Sequence, residues 1–288
     1  MSLHKGPSTR GRHNLALHSI TPAISSRREL AAPGLEWVAE LYRKYAPALA
    51  CVRDAQRRLH ATRGNLQLER AASCLGLRVM LEHMGLPVDF QAQIKPQLDD
   101  LEAEISYLLL RELRPDSVVE IAPDGGWSTT WLLAALRDNG HGTLYSYDRY
   151  DHCKRTVPRA LAAGRWRFVR GDIRERLHAL PGRIDYLFMD CAHTAGFARW
   201  YLRELFPRLA PGTFVSVHDI YPERRGESQV VREWLQSRQV EWFTASPVGA
   251  PAVHCALHGL KHRLGLHEPI HDSQKNPMIF FRYLGSGR

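Results

Sequence analysis

The spacing of apolar positions changes near Pro115, and the two parts of the chain predict different structures. Before this proline the apolar residues recur at the spacing of one face of an α-helix. The pattern predicts a first helix from Leu35 that is broken at Pro47, a second over Leu66–Met84 and a third over Leu98–Leu113. Acidic residues crowd the first turns of the third helix, where the helix dipole favours them, and Pro115 ends it.

From Val118 onward short apolar strands alternate with helical segments, and this alternation predicts a mostly parallel sheet with helices on both faces. The predicted strands are Val118–Ile121, Thr143–Tyr147, Arg167–Arg170, Asp185–Met189, Thr213–Val217, Val240–Thr244 and Met278–Tyr283. The predicted helices between them are Thr129–Arg137, Thr156–Ala163, Ile173–Leu180, Phe197–Leu209 and Gln229–Arg238. We therefore expect an α/β protein with a doubly wound, mostly parallel seven-stranded sheet and an α-helical N-terminal extension.

The 288 residues allow one large domain preceded by an extension. We expect a poorly ordered basic arm over residues 1–33, a helical extension over 34–114 and the α/β domain over 115–288. The sequence has no run of 18 apolar residues, no apolar segment behind the basic N-terminus, and five scattered cysteines without a CxxC. These features favour a cytoplasmic protein with reduced thiols and no membrane partner. The net charge of +9, including Arg53 and its neighbours, is interpreted as a solvated tail and helix face.

Acidic side chains follow successive strands of the predicted sheet. Because the carboxyl ends of parallel strands meet at one edge, these side chains are expected to lie together. Crowded carboxylates repel one another unless a ligand with hydroxyls, amines or positive charge lies among them. The residues are Glu120, Asp148, Asp172, Asp190 and the pair His218-Asp219.

The turn after the first strand lacks the G-x-G-x-x-G pattern of dinucleotide-binding proteins. Pro123 offers no N–H to a phosphate, and Asp124 would repel one. A cofactor without phosphate fits this turn better. S-adenosylmethionine has a sulfonium cation, hydroxyls and amines for the acids, and its carboxylate can take backbone N–H groups near Gly125-Gly126.

Several of these motifs together resemble class I S-adenosylmethionine-dependent methyltransferases. They are VVEIAPDGGWST, LYSYD, VRGD, IDYLFMDCAH and LAPGTFVSVHDI, and NPMIFFRYLG resembles the last, antiparallel strand of that fold. The closest group includes the metal-dependent sugar O-methyltransferases of macrolide biosynthesis. The resemblance covers somewhat under half of the chain, from about Leu98 to Tyr221. Two positions depart from the pattern: Ala122-Pro123-Asp124 replaces a Gly-x-Gly, and His218 stands where relatives often have an acid.

The resemblance implies a role for each matching residue. His193 and Asp190 would be catalytic, with His193 as the general base, and Asp190, His218 and Asp219 would hold a divalent cation such as Mg²⁺. The cation would lower the pKa of a bound hydroxyl, and His193 would accept its proton. The expected acceptor is a small-molecule hydroxyl, of a sugar, polyketide or other natural product. The cofactor-binding residues would be Glu120, Ala122, Gly125, Gly126, Ser128, Asp148, Asp172 and Asp190.

Other interpretations of the same residues remain open. The strand-end aspartates could cap helices, and His193 could be an ordinary loop histidine. A nicotinamide-dependent oxidoreductase and a noncatalytic RNA-binding module are alternative functions, although a nucleic-acid partner is not expected. The N-terminal helices are expected to cap the substrate pocket or to form a homodimer contact.

Overall fold

The computed structural model of the protein describes residues 34–61, 94–221, 223–273 and 277–285. The predicted helix over Leu66–Met84 and the predicted arm over residues 1–33 lie outside this part of the chain. Two helices precede the sheet, α1 (Leu35–Ala61) and α2 (Asp100–Leu113). None of the helices in the described ranges has the length and apolar character needed to cross a membrane.

Helix α1 is continuous through Pro47, so the predicted break is wrong. A proline inside a helix removes one N–H donor and leaves the carbonyl four residues earlier unpaired. Pro47 lies on the exposed side of α1, where water can solvate that carbonyl. Buried residues on both sides of the proline, among them Tyr42 and Leu49, hold the helix against the core.

Helix α2 confirms the third predicted helix, and its ends have clear causes. The Asp99 side chain accepts the Leu101 N–H, and the Glu102 side chain accepts the Asp99 N–H, which together form a capping box. The helix ends at Arg114, which adopts a left-handed conformation with φ 47° directly before Pro115.

Seven strands form one sheet in the order β3-β2-β1-β4-β5-β7-β6. The strands are β1 (Ser117–Ile121), β2 (Thr143–Asp148), β3 (Trp166–Arg170), β4 (Tyr186–Met189), β5 (Phe214–Val217), β6 (Trp242–Phe243) and β7 (Ile279–Arg282). Strands β1 to β5 pair in parallel, and β7 is antiparallel to both β5 and β6. This arrangement confirms the predicted fold class. The direction of winding reverses between β1 and β4, where open α/β sheets form a ligand crevice.

The helices between the strands are α3 (Trp127–Asn139), α4 (Cys153–Thr156), α5 (Arg159–Ala162), α6 (Ile173–Arg176), α7 (Ala195–Glu204), α8 (Glu227–Ser237) and α9 (Pro251–Arg263). The helices up to α8 agree with the predicted positions but are often shorter, whereas α9 has no predicted counterpart. Pro158 separates α4 from α5, where one helix is predicted. Short 3₁₀ turns replace the last parts of the predicted helices at Leu177–Ala179 and Phe206–Arg208.

Apolar side chains bury both faces of the sheet. One face packs against α1, α2, α3 and α9, and the other packs against α7 and α8. Because α1 and α2 belong to the same apolar cluster as strand residues of the sheet, the N-terminal helices share the core of the α/β part.

Arg53 is buried, so its interpretation as part of a solvated helix face is wrong. Only 2% of this residue is exposed, and its guanidinium contacts Glu104 and lies 3.4 Å from Asp100. Tyr42 donates to Glu104 Oε2 at 2.7 Å, and Lys261 of α9 donates to Glu104 Oε1 at 2.9 Å. Burial lowers the pKa of Lys261 to about 8. The contacts of this cluster join α1 and α9 to the first turns of α2. Each buried charge has a partner of opposite sign, which matters because an isolated buried charge is costly.

Candidate functional site

The crevice between β1 and β4 is bordered by backbone in unusual conformations. Ala122 and Asp124, in the turn after β1, have φ angles of 62° and 41°, and Asp219 after β5 has φ 59°. The left-handed region is uncommon for residues other than glycine, and such residues gather at functional sites. Ala122 adopts it in the loop where the resembled family has its Gly-x-Gly, and its N–H donates to the Tyr147 carbonyl at 2.8 Å.

Glu120 at the end of β1 is fully buried and bound by three hydroxyl groups. Ser128 Oγ donates to it at 2.7 Å, Thr129 Oγ1 at 2.9 Å, and Ser146 Oγ donates from the paired residue of β2. Burial raises the pKa of Glu120 to about 7, although the hydroxyl groups oppose that shift. The carboxylate therefore fixes the start of α3 against β1 and β2. Contact of Glu120 and Ser128 with a cofactor stays a prediction.

The Gly125-Gly126 turn connects β1 to α3 under a steric constraint. Gly126 has φ 84°, and a Cβ there would lie 2.7 Å from Val157 Cγ2. The Gly125 carbonyl accepts the Thr156 hydroxyl at 2.7 Å. The turn therefore needs glycine at position 126 for packing against α4, whether or not a cofactor lies above it.

Asp148 at the end of β2 has both carboxylate oxygens held in place. Oδ2 accepts the Asp124 N–H at 3.1 Å, and Oδ1 accepts the Tyr150 N–H at 3.0 Å. Each oxygen keeps a further lone pair for a ligand hydroxyl. Asp148 lines a cavity of about 420 Å³ together with Ala122, Asp172 and eleven further residues from the ends of β1 to β4 and the start of α7.

Asp172 follows β3 and serves two roles in the described structure. It caps α6 by accepting the Arg174 N–H at 3.0 Å, as the alternative interpretation expects, and it also lines the cavity beside Asp148. Hydrogen bonds from the side chain of Arg174 and from Arg149 hold the pKa of Asp172 well below its usual range. The carboxylate thus stays charged and is fixed at the cavity wall.

A second cavity of about 460 Å³ lies on the other side of the segment that follows β4. Cys191 and Ala192 of this segment line the first cavity, whereas Asp190 and His193 line the second. Most of the second wall is polar or charged. Its lining residues are Lys95, Pro96, Gln97, Asp190, His193, His218, Asp219 and His271.

His193 presents one ring nitrogen to the second cavity and the other to the protein interior. Its Nδ1 lies 2.8 Å from Glu227 Oε2, and its Nε2 lies 3.3 Å from Asp219 Oδ2 and 3.8 Å from Asp190 Oδ1. The contact with Glu227 raises the pKa of His193, although partial burial opposes this, and Asp219 and Asp190 add to the rise. The structure thus brings together the predicted catalytic pair.

His218 lies between two carboxylates from different parts of the chain. Its Nδ1 is 3.1 Å from Asp190 Oδ1, and its Nε2 is 3.5 Å from Glu102 Oε2 of α2. Burial opposes a charge on this ring, but Asp190 and Glu102 together raise the pKa of His218 well above its ordinary value. Both ring nitrogens and Asp219 Oδ1 are buried without an aligned hydrogen-bond partner.

The predicted cation ligands are therefore neighbours. His218 Nδ1 is 3.8 Å from Asp219 Oδ1, in addition to its contact with Asp190. However, within the described ranges no three His, Cys, Asp or Glu side chains are arranged as a group that could hold a metal ion. Binding of a cation by these residues stays a prediction.

Three residues of the site escaped the sequence analysis: Glu102, Glu227 and Gln97. Glu102 looks like an ordinary first-turn acid of a helix, and Glu227 follows a glycine in a polar loop. Gln97 donates to the Asp124 carboxylate at 2.8 Å and so connects the segment before α2 to the turn after β1. All three come from elements distant in sequence from the contacts they make, and no local pattern marks them.

Residues 119–220 match a family model described as a methyltransferase domain. The matched segment begins within β1, extends through β5 and holds most of the predicted site residues, so this part of the chain is similar to a methyltransferase domain, as predicted. No curated protein matches the chain.

Solved structures with similar folds include two O-methyltransferases. One is TomG from Streptomyces achromogenes, involved in tomaymycin synthesis and solved in complex with S-adenosylmethionine. It is 17% identical, with a TM-score of 0.45, covering 74% of this chain and 94% of that one. The other is an O-methyltransferase from Bacillus cereus in complex with S-adenosylhomocysteine. It is 14% identical, with a TM-score of 0.44, covering 74% of this chain and 96% of that one.

Proposed function

We propose that the protein, whose residues 119–220 match a family model described as a methyltransferase domain, transfers the methyl group of S-adenosylmethionine to a hydroxyl of a small molecule. One observation carries the proposal. The segment after β4 separates two cavities, with the strand-end acids Asp148 and Asp172 on one side and His193 on the other. A methyl donor in the first cavity and an acceptor in the second would meet at this segment.

The first cavity suits the donor because of its chemistry. Asp148 has lone pairs directed away from its two backbone partners, and they can accept the two ribose hydroxyls. The crevice lies at the carboxyl ends of parallel strands, where this fold class binds nucleosides. Its carboxylates favour a ligand whose reactive centre is a sulfonium cation.

The second cavity supplies a proton acceptor. The acceptor oxygen forms a bond to the methyl carbon as the carbon–sulfur bond breaks, and the sulfonium becomes a neutral thioether. The hydroxyl proton passes to His193 Nε2, the ring nitrogen that faces the cavity. Since the pKa of His193 is raised by Glu227, activity is expected to rise with pH as this ring loses its proton.

We propose further that Asp190, His218 and Asp219 hold a divalent cation. Two buried atoms without aligned partners, His218 Nδ1 and Asp219 Oδ1, support this fit. On the opposite side of the ring the Glu102 carboxylate lies 3.5 Å from Nε2, and a carboxylate on this side is a common support for a metal-bound histidine. A bound cation would lower the pKa of a coordinated hydroxyl. Two carboxylates and one imidazole suit Mn²⁺, which carboxylates favour, or Fe²⁺ and Zn²⁺, which imidazole favours.

A methyl-transfer panel tests both proposals. The full-length protein is incubated with S-adenosylmethionine carrying a deuterated methyl group and with glycosides, catechols and other hydroxylated small molecules. We expect a deuterated O-methyl product, identified by mass spectrometry and NMR. Treatment with a chelator should suppress the reaction, and Mn²⁺ should restore it. Methylation of nitrogen or carbon only would contradict hydroxyl transfer, and full activity in the chelator would contradict a role for the cation.

A further inference from the structure

Glu227 is a buried acid whose two oxygens are both committed to side chains near the site. It is the first residue of α8 and only 1% exposed. Its Oε2 lies 2.8 Å from His193 Nδ1, and its Oε1 accepts the Tyr201 hydroxyl at 2.9 Å. Burial raises the pKa of Glu227, although its contacts with His193 and Tyr201 oppose this, and the two contacts hold the carboxylate in one position.

The backbone around Glu227 is shaped to bring it close to His193. Gly226, directly before it, has φ 81°, and a Cβ there would lie 3.2 Å from the His193 carbonyl oxygen. Glycine therefore permits the start of α8 to approach the loop after β4. The hydroxyl of Tyr201, on α7, donates to the other carboxylate oxygen, Oε1. The Glu227 carboxylate is therefore fixed by two helices and a loop.

The contact decides which nitrogen of His193 carries the proton in the neutral ring. A carboxylate can only accept hydrogen bonds, so it favours a proton on the ring nitrogen that faces it. Glu227 Oε2 is hydrogen-bonded to Nδ1 at 2.8 Å, whereas the carboxylate oxygens of Asp219 and Asp190 lie farther from Nε2, at 3.3 Å and 3.8 Å, so the proton is favoured on Nδ1. The lone pair is then on Nε2, which faces Asp219, Asp190 and the second cavity. An imidazole with the opposite tautomer would offer the cavity an N–H and could not accept a proton there.

We propose that Glu227 is a positioning residue that fixes His193 in the Nδ1–H tautomer and directs Nε2 at the acceptor hydroxyl. This inference rests on the proposed function of His193 as the general base. Glu227 itself does not touch the acceptor cavity and acts only through the histidine ring.

The tautomer can be measured without knowledge of the acceptor. Nitrogen-15 NMR spectra of histidine-labelled, full-length protein distinguish protonated from unprotonated ring nitrogens at alkaline pH, where the ring is neutral. The His193→Asn variant identifies the His193 signals. We expect wild-type His193 to be in the Nδ1–H form, and Glu227→Gln to shift it toward the Nε2–H form, because the amide can donate to Nδ1. Tyr201→Phe is the matched control, since it leaves the carboxylate in place, and its spectrum should retain the Nδ1–H form.

The inference would be overturned if wild-type His193 were in the Nε2–H form or in an equal mixture of the two tautomers. It would also be overturned if His193 stayed in the Nδ1–H form in both Glu227→Gln and Glu227→Ala. A kinetic readout follows once the panel supplies an acceptor. Glu227→Gln should lower kcat by about 10-fold to 100-fold with KM nearly unchanged. The proposed function and this inference fail separately. Full activity of His193→Asn would show that His193 is not the general base and would contradict the proposed function. The NMR result tests only the effect of Glu227 on the His193 ring.

Discussion

Replacing Glu104 by leucine is expected to lower the free energy of unfolding by about 3–5 kcal/mol. Glu104 is fully buried and accepts from Tyr42 and Lys261 while contacting Arg53. Its removal takes away the closest ion-pair partner of two buried cations, because Asp100 lies farther off, at 3.4 Å from Arg53 and 4.0 Å from Lys261. Uncompensated charges in the interior are costly, because the protein replaces the lost hydration poorly. Denaturant unfolding followed by circular dichroism measures the loss.

The exposed pair Lys44–Glu112 is the matched control for this prediction. It also joins α1 to α2, at 2.6 Å, but the Lys44 side chain is 52% exposed. Lys44→Met should cost less than about 1 kcal/mol, as exposed ion pairs do. A loss below about 1 kcal/mol for Glu104→Leu as well would mean that the buried charges do not hold the N-terminal helices on the core.

Replacing His193 by asparagine is expected to lower kcat by about 10²-fold to 10⁴-fold, the range that a general base contributes. Asparagine is similar in size but accepts no proton near neutral pH. The substitution lies outside the first cavity, so the affinity for S-adenosylmethionine should stay within about twofold of the wild type, a change of less than 1 kcal/mol. Steady-state rates with an acceptor from the panel, together with titration of the cofactor, separate the two effects.

His178→Asn provides the control, because His178 is exposed in a 3₁₀ turn and lines neither of the two cavities described above. Its activity should equal that of the wild type. If His193→Asn retains more than about a tenth of the wild-type kcat, another group must take the proton. A loss of cofactor binding in this variant would instead indicate a structural role for His193.

The fold was largely predictable because its signals are local. Each buried strand is a short apolar run between turn residues, and the change from helical spacing to alternation of strands and helices marks where the sheet begins. The predicted break at Pro47 was wrong because buried residues on both sides of this exposed proline hold α1 against the core. The interpretation of Arg53 as a solvated residue was wrong because its partners, Glu104 and Asp100, lie far away in the sequence.

The site was predictable only in part, for a related reason. Asp148, Asp172 and Asp190 follow parallel strands, and the topology alone brings such residues to one edge. Glu102 and Glu227 reach His218 and His193 through the packing of α2 and α8 against the sheet edge. Those contacts depend on helix placement and loop geometry, which no spacing in the sequence encodes.

The most direct measurement is calorimetric titration of the full-length protein with S-adenosylmethionine, with NADH as the comparison ligand. We expect S-adenosylmethionine to bind with a dissociation constant of about 1–100 μM, or about −8 to −5.5 kcal/mol, and NADH to give no heat. Asp148→Ala should weaken binding by at least about tenfold, since the ribose hydroxyls lose their acceptor. Glu175→Ala, which removes an exposed acid near Asp172, should leave it unchanged. Absence of binding by the wild type, or equal binding by Asp148→Ala, would contradict the placement of the methyl donor at this sheet edge.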